Sequence, residues 1–481
     1  MKLLKQLTPS RNLVKQTLRS HAWIGLVLAA VLYLVCLSGS LLVFKSDFER
    51  WEQSSSEPYL SISDQAISRA LAAFQTKVNR PVEALYFVYP SKDLPRAHVA
   101  DALDEWWVDK DGALTAPVDI PWTDMLTDLH YYLHLPGTWG MIIVGMLGAM
   151  MCGLMVSGLL SHPNLFKDAF KLRLGSNRQL EQTDVHNRLS VWSLPFFFVI
   201  SLTGGYIGLF GISMTLVDYF EEDYQAEQII SEVFGHDPSV DQPAVVPQIN
   251  KIHRDLNNRA PDAQPLYLVV QNPGTDQQYI EVAAYPPDRL IYSEIYRYHS
   301  DGSFIDYQHL ADGSAGRQVA YSSYRLHFGT FGGPITQWLY LVLGLAMTVI
   351  TVTGVNMWFE KRNVRNRWYT SWRGFVWLTP LALVASAFGT VLLDWSAVGI
   401  FWLVLAGGSL LLWAGMYRIH RFNQQTLYLW MKQAALLLLI VLLFAHGFGH
   451  TDQPWYWSFS LALTGLLSLP MINFRRLIPN P

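Results

Sequence analysis

The sequence predicts an all-α polytopic membrane bundle of eight transmembrane helices, with both termini cytoplasmic and two small α+β domains outside the membrane. Three observations predict it. The chain has 481 residues, 51% of them hydrophobic, and the apolar residues are gathered in long runs. Basic residues cluster at alternate ends of those runs. Of the 38 acidic residues, 32 fall in two large loops.

Each run is long enough to cross about 30 Å of hydrocarbon at about 1.5 Å per residue. The first four are expected at about Ala22 to Phe44, Trp139 to Leu160, Trp192 to Leu216 and Gln337 to Trp358. Four more follow without large loops, at about Phe375 to Leu393, Ala397 to Tyr417, Gln433 to His450 and Trp455 to Asn473. Lys2, Lys5, Arg11, Lys15 and Arg19 place the N-terminus in the cytoplasm, because Lys and Arg near span ends stay on that side. Lys167, Lys171, Arg173 and Arg178 repeat the bias, as do Lys361, Arg362, Arg365 and Arg367, then Arg418 and Arg421, and last Arg475 and Arg476. The first span reads as an anchor, since its apolar run is too long for a signal peptide and Cys36-Leu37-Ser38-Gly39-Ser40 is a poor cleavage site.

The two acidic loops are solvated domains, which makes nucleic acid an unsuitable partner. Cys36 and Cys152 both lie inside spans, so the sequence has neither a disulfide framework nor a Cys-x-x-Cys-His site for covalent haem attachment. Any haem would be b-type.

One unit is written twice. Arg19-Ser20-His21 opens span one and Leu37-Ser38-Gly39-Ser40-Leu41 closes it; Asp184-Val185-His186 and Leu202-Thr203-Gly204-Gly205-Tyr206 do the same for span three. His21 to Gly39 and His186 to Gly204 are both 18 residues. Each span leads to a domain with a helix and then short strands. In the first, Ser63 caps a helix through about Lys77, followed by a strand at Ala84 to Tyr89 and a hairpin from Trp106 to Leu114. The second has a helix through Ile249 and Ile252, strands at Leu266 to Val270 and Tyr279 to Val282, and a turn at Asp301-Gly302. After each domain the chain returns to the membrane through histidines, at Leu129-His130 with His134 and at Leu326-His327. The expected organisation is therefore 1–45 (N-terminus and first span), 46–133 (first domain), 134–216 (second and third spans), 217–333 (second domain), 334–365 (fourth span) and 366–481 (an appended four-helix region).

Eighteen residues make five helical turns, so His21 shares a face with Gly39 about 27 Å away, as His186 does with Gly204. A planar cofactor ligated from other helices fits against such a glycine. Topology puts His21 and His186 at the cytoplasmic level, and His130, His134 and His327 at the periplasmic level. Two tiers result: His21 with His186, and His327 with His130 or His134, which lie four residues apart and remain alternatives. Neutral imidazole suits haem iron, and polar side chains at membrane depth are costly enough to be functional suspects. The expected cofactor is haem b, two per chain. His162 is read as a helix-terminal residue, His446 and His450 as gating, metal-contact or interfacial residues with the interfacial reading favoured, and His98, His236, His253, His299 and His309 as ordinary residues of the domains.

In these residues the chain resembles the PepSY-associated transmembrane helix family, which includes iron-regulated inner-membrane proteins and ferric-siderophore reductases of Gram-negative bacteria. The likeness covers about residues 15 to 365 and rests on His21, Trp23 and Gly25, the Leu37-Ser38-Gly39 and Leu202-Thr203-Gly204 closings, Leu129-His130, Leu326-His327 and Val352-Thr353-Gly354. It implies PepSY-like periplasmic domains, an inner-membrane location, and a haem-containing reductase passing electrons to periplasmic ferric chelates. It also implies His21, His130, His186 and His327 as haem ligands. Tyr131 stands where an Arg commonly follows the histidine, and the last four spans lie outside the family's core.

The function expected is thus an oxidoreductase that reduces periplasmic ferric-siderophore iron. Its cytoplasmic loops are too short for a nucleotide-binding domain, and Gly204-Gly205-Tyr206-Ile207-Gly208 lies within a span. The donor expected is therefore a quinol, a reduced flavin or a separate reductase. A non-catalytic PepSY-type sensor or peptidase regulator is the alternative of a different class and predicts no cofactor. An iron or siderophore transporter needs a polar midplane pathway, and the spans carry few ionisable residues there.

Overall fold

The structure, a computed structural model, describes residues 10–53, 57–162, 170, 173, 178–220, 226–287, 289–415, 424–447 and 460–465. Helix α1 (Arg11–Leu42) leads through α2 (Lys45–Glu52) to α3 (Asp64–Val78) and strands β1 (Ala84–Val88), β2 (Ala97–Ala100), β3 (Glu105–Val108) and β4 (Leu114–Pro117). Helices α4 (Pro121–Tyr131) and α5 (Gly137–Ser161) end the first repeat. The second runs through α6 (Arg178–Trp192), α7 (Leu194–Phe220), α8 (Ala226–Phe234), α9 (Ile249–Arg259), β5 (Gln264–Gln271), β6 (Tyr279–Tyr285), β7 (Glu294–His299), β8 (Phe304–Tyr307), α10 (Ala315–Phe328) and α11 (Gly333–Lys361). Then come α12 (Arg367–Leu393), α13 (Ala397–Trp402), a π-helical turn (Leu403–Gly407), α14 (Gly408–Gly415) and α15 (Gln424–Gly447).

Seven helices among the described residues are long and apolar enough to cross a membrane. The chain is a polytopic membrane protein with a helical bundle. The eighth expected span, Trp455 to Asn473, lies outside the described residues except for 460–465, which are helical. His450 lies outside them too.

The chain divides into two compact units. The helical unit holds Met1–Lys45, Pro121–Gly208 and Pro334–Pro481, so α4, expected in the first domain, belongs with the bundle. The indole of Trp122 on α4 explains this, donating to Leu383 O at 3.1 Å and Ser386 Oγ at 3.2 Å on α12. Helix α1 runs unbroken for 32 residues, whereas its repeat counterpart is divided into α6 and α7. Pro195 accounts for the division, since it lacks an N–H and is best accommodated in a first helical turn. Glycines let α5 and α7 cross closely: a Cβ on Gly148 would stand 2.7 Å from Gly205 N, and one on Gly208 2.7 Å from Gly145 Cα.

The second unit, Ser46–Ile120 with Leu209–Gly333, contains one sheet rather than two. Its order is β4-β3-β2-β1-β5-β6-β7-β8, and every neighbouring pair is antiparallel. The two expected domains merge because β1 and β5 are edges of their own four-strand groups and pair with each other, Phe87 opposite Leu268. Pairing hides two edges that would otherwise offer unsatisfied backbone groups. On one face, Leu85, Phe87, Val99, Leu268, Val270, Ile280 and Val282 join Ile67, Ala70 and Phe74 of α3 and Ile249, Ile252 and Leu256 of α9 in a single core. Burial of each large apolar side chain stabilises that core by about 1.5–3 kcal/mol.

Capping and turns follow the sequence signals. Ser63 Oγ accepts from Ala66 N at 3.2 Å at the start of α3. Gly112 takes φ of 86° in the turn after β3, and a Cβ there would meet Ala66 O at 2.1 Å. A polar chain joins the repeats: Asp64 Oδ1 lies 2.6 Å from His253 Nδ1, and His253 Nε2 lies 2.6 Å from the Tyr89 hydroxyl. His253 is thus a structural residue of the sheet unit, as the sequence suggests.

Candidate functional site

Three of the sequence-selected histidines sit in seats of one design. His21 on α1 places Nδ1 3.0 Å from Leu154 O and 3.1 Å from Ser157 Oγ, both on α5. His186 on α6 places Nδ1 3.1 Å from Ile350 O and 3.1 Å from Thr353 Oγ1, both on α11. His130 on α4 places Nδ1 3.0 Å from Val35 O and 3.4 Å from Ser38 Oγ, both on α1. In each seat a hydroxyl residue follows the carbonyl residue by three positions and a glycine follows by four. The glycine makes room for the ring: a Cβ on Gly158 would lie 3.3 Å from His21 Cε1, one on Gly354 3.4 Å from His186 Cε1, and one on Gly39 2.4 Å from His130 Cε1.

This spacing recurs in the sequence at Ile200, Thr203 and Gly204 on α7. Sequence reasoning noted three of the glycines but missed the seat. The signal was available, because Leu154, Ser157 and Gly158 precede Ile350, Thr353 and Gly354 by the same 196 residues. The space a side chain on Gly39 would occupy is taken by the His130 ring.

The carbonyls fix the tautomers. A carbonyl only accepts, so Nδ1 donates in all three seats and Nε2 carries the lone pair. Ligating histidines adopt this form, with the other ring nitrogen held by a carbonyl. His21 and His186 also face each other, with ring centroids 6.5 Å apart and planes at 89°. Donor type and tautomer fit residues that would hold haem iron. The helix bearing His186 is fixed by Asp184, a buried carboxylate that accepts from Arg173 N at 2.9 Å, Nε at 2.8 Å and Nη2 at 2.6 Å.

His134 is held differently. Its Nε2 donates to Met125 O at 2.8 Å, while its Nδ1 accepts from Trp402 Nε1 at 2.8 Å. Both nitrogens are committed, so ligation at His134 requires breaking two hydrogen bonds. Leu133 and His134 have φ of 54° and 57°, a left-handed pair that ends α4 and turns the chain toward α5. Trp402 ends α13 beside the π-helical turn, and sequence reasoning gave neither a role.

His327 lies on α10 in the other unit, and by the repeat it corresponds to His130. His162 Nε2 accepts from Asn187 Nδ2 at 3.4 Å at the end of α5, in keeping with a helix-terminal role. Among the described residues, no three His, Cys, Asp or Glu side chains group as a metal site. A haem needs only two axial ligands from the protein.

The PepSY-associated TM region family matches residues 18–361. The chain belongs to this family. The match takes in both repeats and every seated histidine, and it stops where α11 ends, so α12 to α15 lie beyond it. An uncharacterised protein of Pseudomonas aeruginosa is 22% identical over 256 residues, covering 50% of this chain and 64% of that relative. The chain thus spans a little less than two thirds of that relative's length.

Proposed function

We propose that this family member is an inner-membrane oxidoreductase that binds two haems b and passes electrons across the bilayer to ferric-siderophore iron in the periplasm. The observation that carries the reading is the His21 and His186 pair, two imidazoles with ring centroids 6.5 Å apart and each Nδ1 held by a backbone carbonyl. Haem, when bound, supplies a one-electron couple between ferric and ferrous iron. The protein's part is to fix both rings on separate helices, hold each in one tautomer, and exclude competing ligands by close packing.

His130 has the same seat as His21 and His186, and we take it rather than His134 as a ligand of the second haem. Basic residues at the His21 end of α1 orient that tier to the cytoplasm, which leaves the sheet unit in the periplasm to hold a bulky ferric chelate. Ferrous iron binds such chelates more weakly than ferric iron, so a single electron releases it.

The test is the absorption spectrum of the detergent-purified, haem-replete chain, followed by anaerobic mixing of the reduced protein with ferric siderophores of several classes and a ferrous-specific chelator. Two haems per chain, reoxidised as ferrous iron appears, are expected. A haem-replete preparation without haem ends the oxidoreductase reading; haem that stays reduced with every ferric chelate ends the choice of acceptor.

A further inference from the structure

An apolar cavity of about 440 Å³ lies within the helical unit, walled by Leu26 and Ala30 of α1, Trp358 and Phe359 of α11, and Trp372 and Phe375 of α12. That volume is in the usual range for small-molecule sites, about 300–1,000 Å³. Three of its lining residues carry a buried polar atom that has no hydrogen-bond partner among the described residues: Ser371 Oγ, Trp372 Nε1 and Ser409 Oγ. Leaving a buried donor unpaired costs about 1–3 kcal/mol, and a lipid acyl chain cannot satisfy any of the three. Two are hydroxyls that donate or accept, and the third is an obligate donor.

We infer that this cavity binds the head group of a lipid-soluble quinone, as the quinol when reduced. A quinone offers an apolar ring for the aromatic walls and two carbonyl oxygens for the N–H and hydroxyl donors. A quinol offers two O–H groups for the serine oxygens. Val355, which lines the cavity, is next in sequence to Gly354, the residue that seats His186. Three of its polar or aromatic contributors, Ser371, Trp372 and Phe375, come from α12, outside the matched family region, which gives the appended helices a part in the site.

The inference rests on the proposed oxidoreductase reading for its purpose: oxidation of one quinol releases two protons and two electrons, which reduce two ferric ions one at a time. Binding itself is independent of haem. The test is equilibrium binding of decyl-ubiquinone to the purified full-length chain in detergent, read by quenching of tryptophan fluorescence and by competition, with decylbenzene as the oxygen-free control. Saturable binding of decyl-ubiquinone that decylbenzene does not displace is expected, weakened about tenfold by Trp372→Phe and about tenfold by Ser371→Ala.

Equal binding of decylbenzene makes the cavity a lipid pocket and overturns the inference, as does the absence of saturable decyl-ubiquinone binding. Unchanged affinity in both variants places the quinone elsewhere and overturns it too. Because the comparison of the two probes uses the unaltered chain, it stands even if a variant fails to fold. Haem content, read from absorption on the same sample, separates the two readings: quinone binding without haem removes the reductase reading alone, and haem without quinone binding removes this site alone.

Discussion

The hydroxyl of Tyr33 donates to Val376 O at 2.8 Å, and Val376 is the residue whose carbonyl Pro380, four positions on, has no N–H to bond. Proline inside a helix removes one backbone donor and leaves such a carbonyl exposed to low dielectric. Here α1, a family helix, supplies the missing donor to α12, an appended one. Tyr33→Phe is therefore expected to destabilise the bundle by about 1–3 kcal/mol, the cost of a buried unsatisfied carbonyl. Pro380→Ala restores the helical donor, so adding it is expected to recover most of that loss. Thermal unfolding of the four proteins in one detergent checks this, and equal losses from Tyr33→Phe with and without Pro380 would refute it.

Gly39 is expected to be intolerant of a single methyl group. A Cβ there would lie 2.4 Å from His130 Cε1, so the ring must swing away and lose its hydrogen bond to Val35 O. Alanine is a better helix former than glycine by about 1 kcal/mol, so α1 itself should survive. Gly39→Ala should then abolish the second haem signal and leave the first, with little change in yield; retention of both haems would show that His130 is not a ligand.

Much of this was legible in the sequence, because the signals are local. Long apolar runs with basic flanks mark the spans, and Ser63 and Gly112 mark a cap and a turn that the structure contains. The matched histidines were visible because a repeat compares a sequence with itself. Pairings between distant segments were not legible. The fusion of two expected domains through β1 and β5 depends on which edges meet, and nothing within Ala84–Val88 names Gln264–Gln271 as its partner. Gly39 was noticed as small, but the sequence cannot say whether a cofactor or an imidazole fills the space. His134 and His130 looked equivalent until Trp402, 268 residues away from His134, took one nitrogen of His134.

The sheet unit carries an acid-sensitive pair. Arg80 donates to Asp101 through Nη1 and Nη2, and that hydrogen bonding holds the Asp101 carboxyl down at about 2. A depressed carboxylate contributes stability that is complete above its unfolded value, near 4, and is lost as the pH falls through about 2. In Arg80→Gln the contribution should be missing at neutral pH as well, so the variant is less stable at pH 7 and the gap to the unaltered chain closes below about pH 2. Circular dichroism against pH in the full-length protein measures this, and a gap that persists undiminished at the acid end would assign the effect to something other than the carboxylate.

The seats make a prediction about how the cytoplasmic-side tier is held. Under the proposed function, His21→Ala or His186→Ala should eliminate one haem while sparing the other, since the tiers are separated by most of the bilayer in the proposed topology. Ser157→Ala and Thr353→Val leave the ligands in place and remove only a hydroxyl beside Nδ1. Changes of this kind around a ligating histidine weaken metal retention by about 10- to 100-fold, so haem should be present after purification but lost faster to an apo-haem-protein acceptor. His134→Ala should keep both haems, because both of its nitrogens are bonded within the protein. Absorption spectra and haem-transfer rates distinguish the cases. If His134→Ala loses a haem while His130→Ala does not, the ligand of the second tier is misassigned; if Ser157→Ala and Thr353→Val release haem no faster than the unaltered chain, the hydroxyls serve packing and the carbonyls alone set the tautomers.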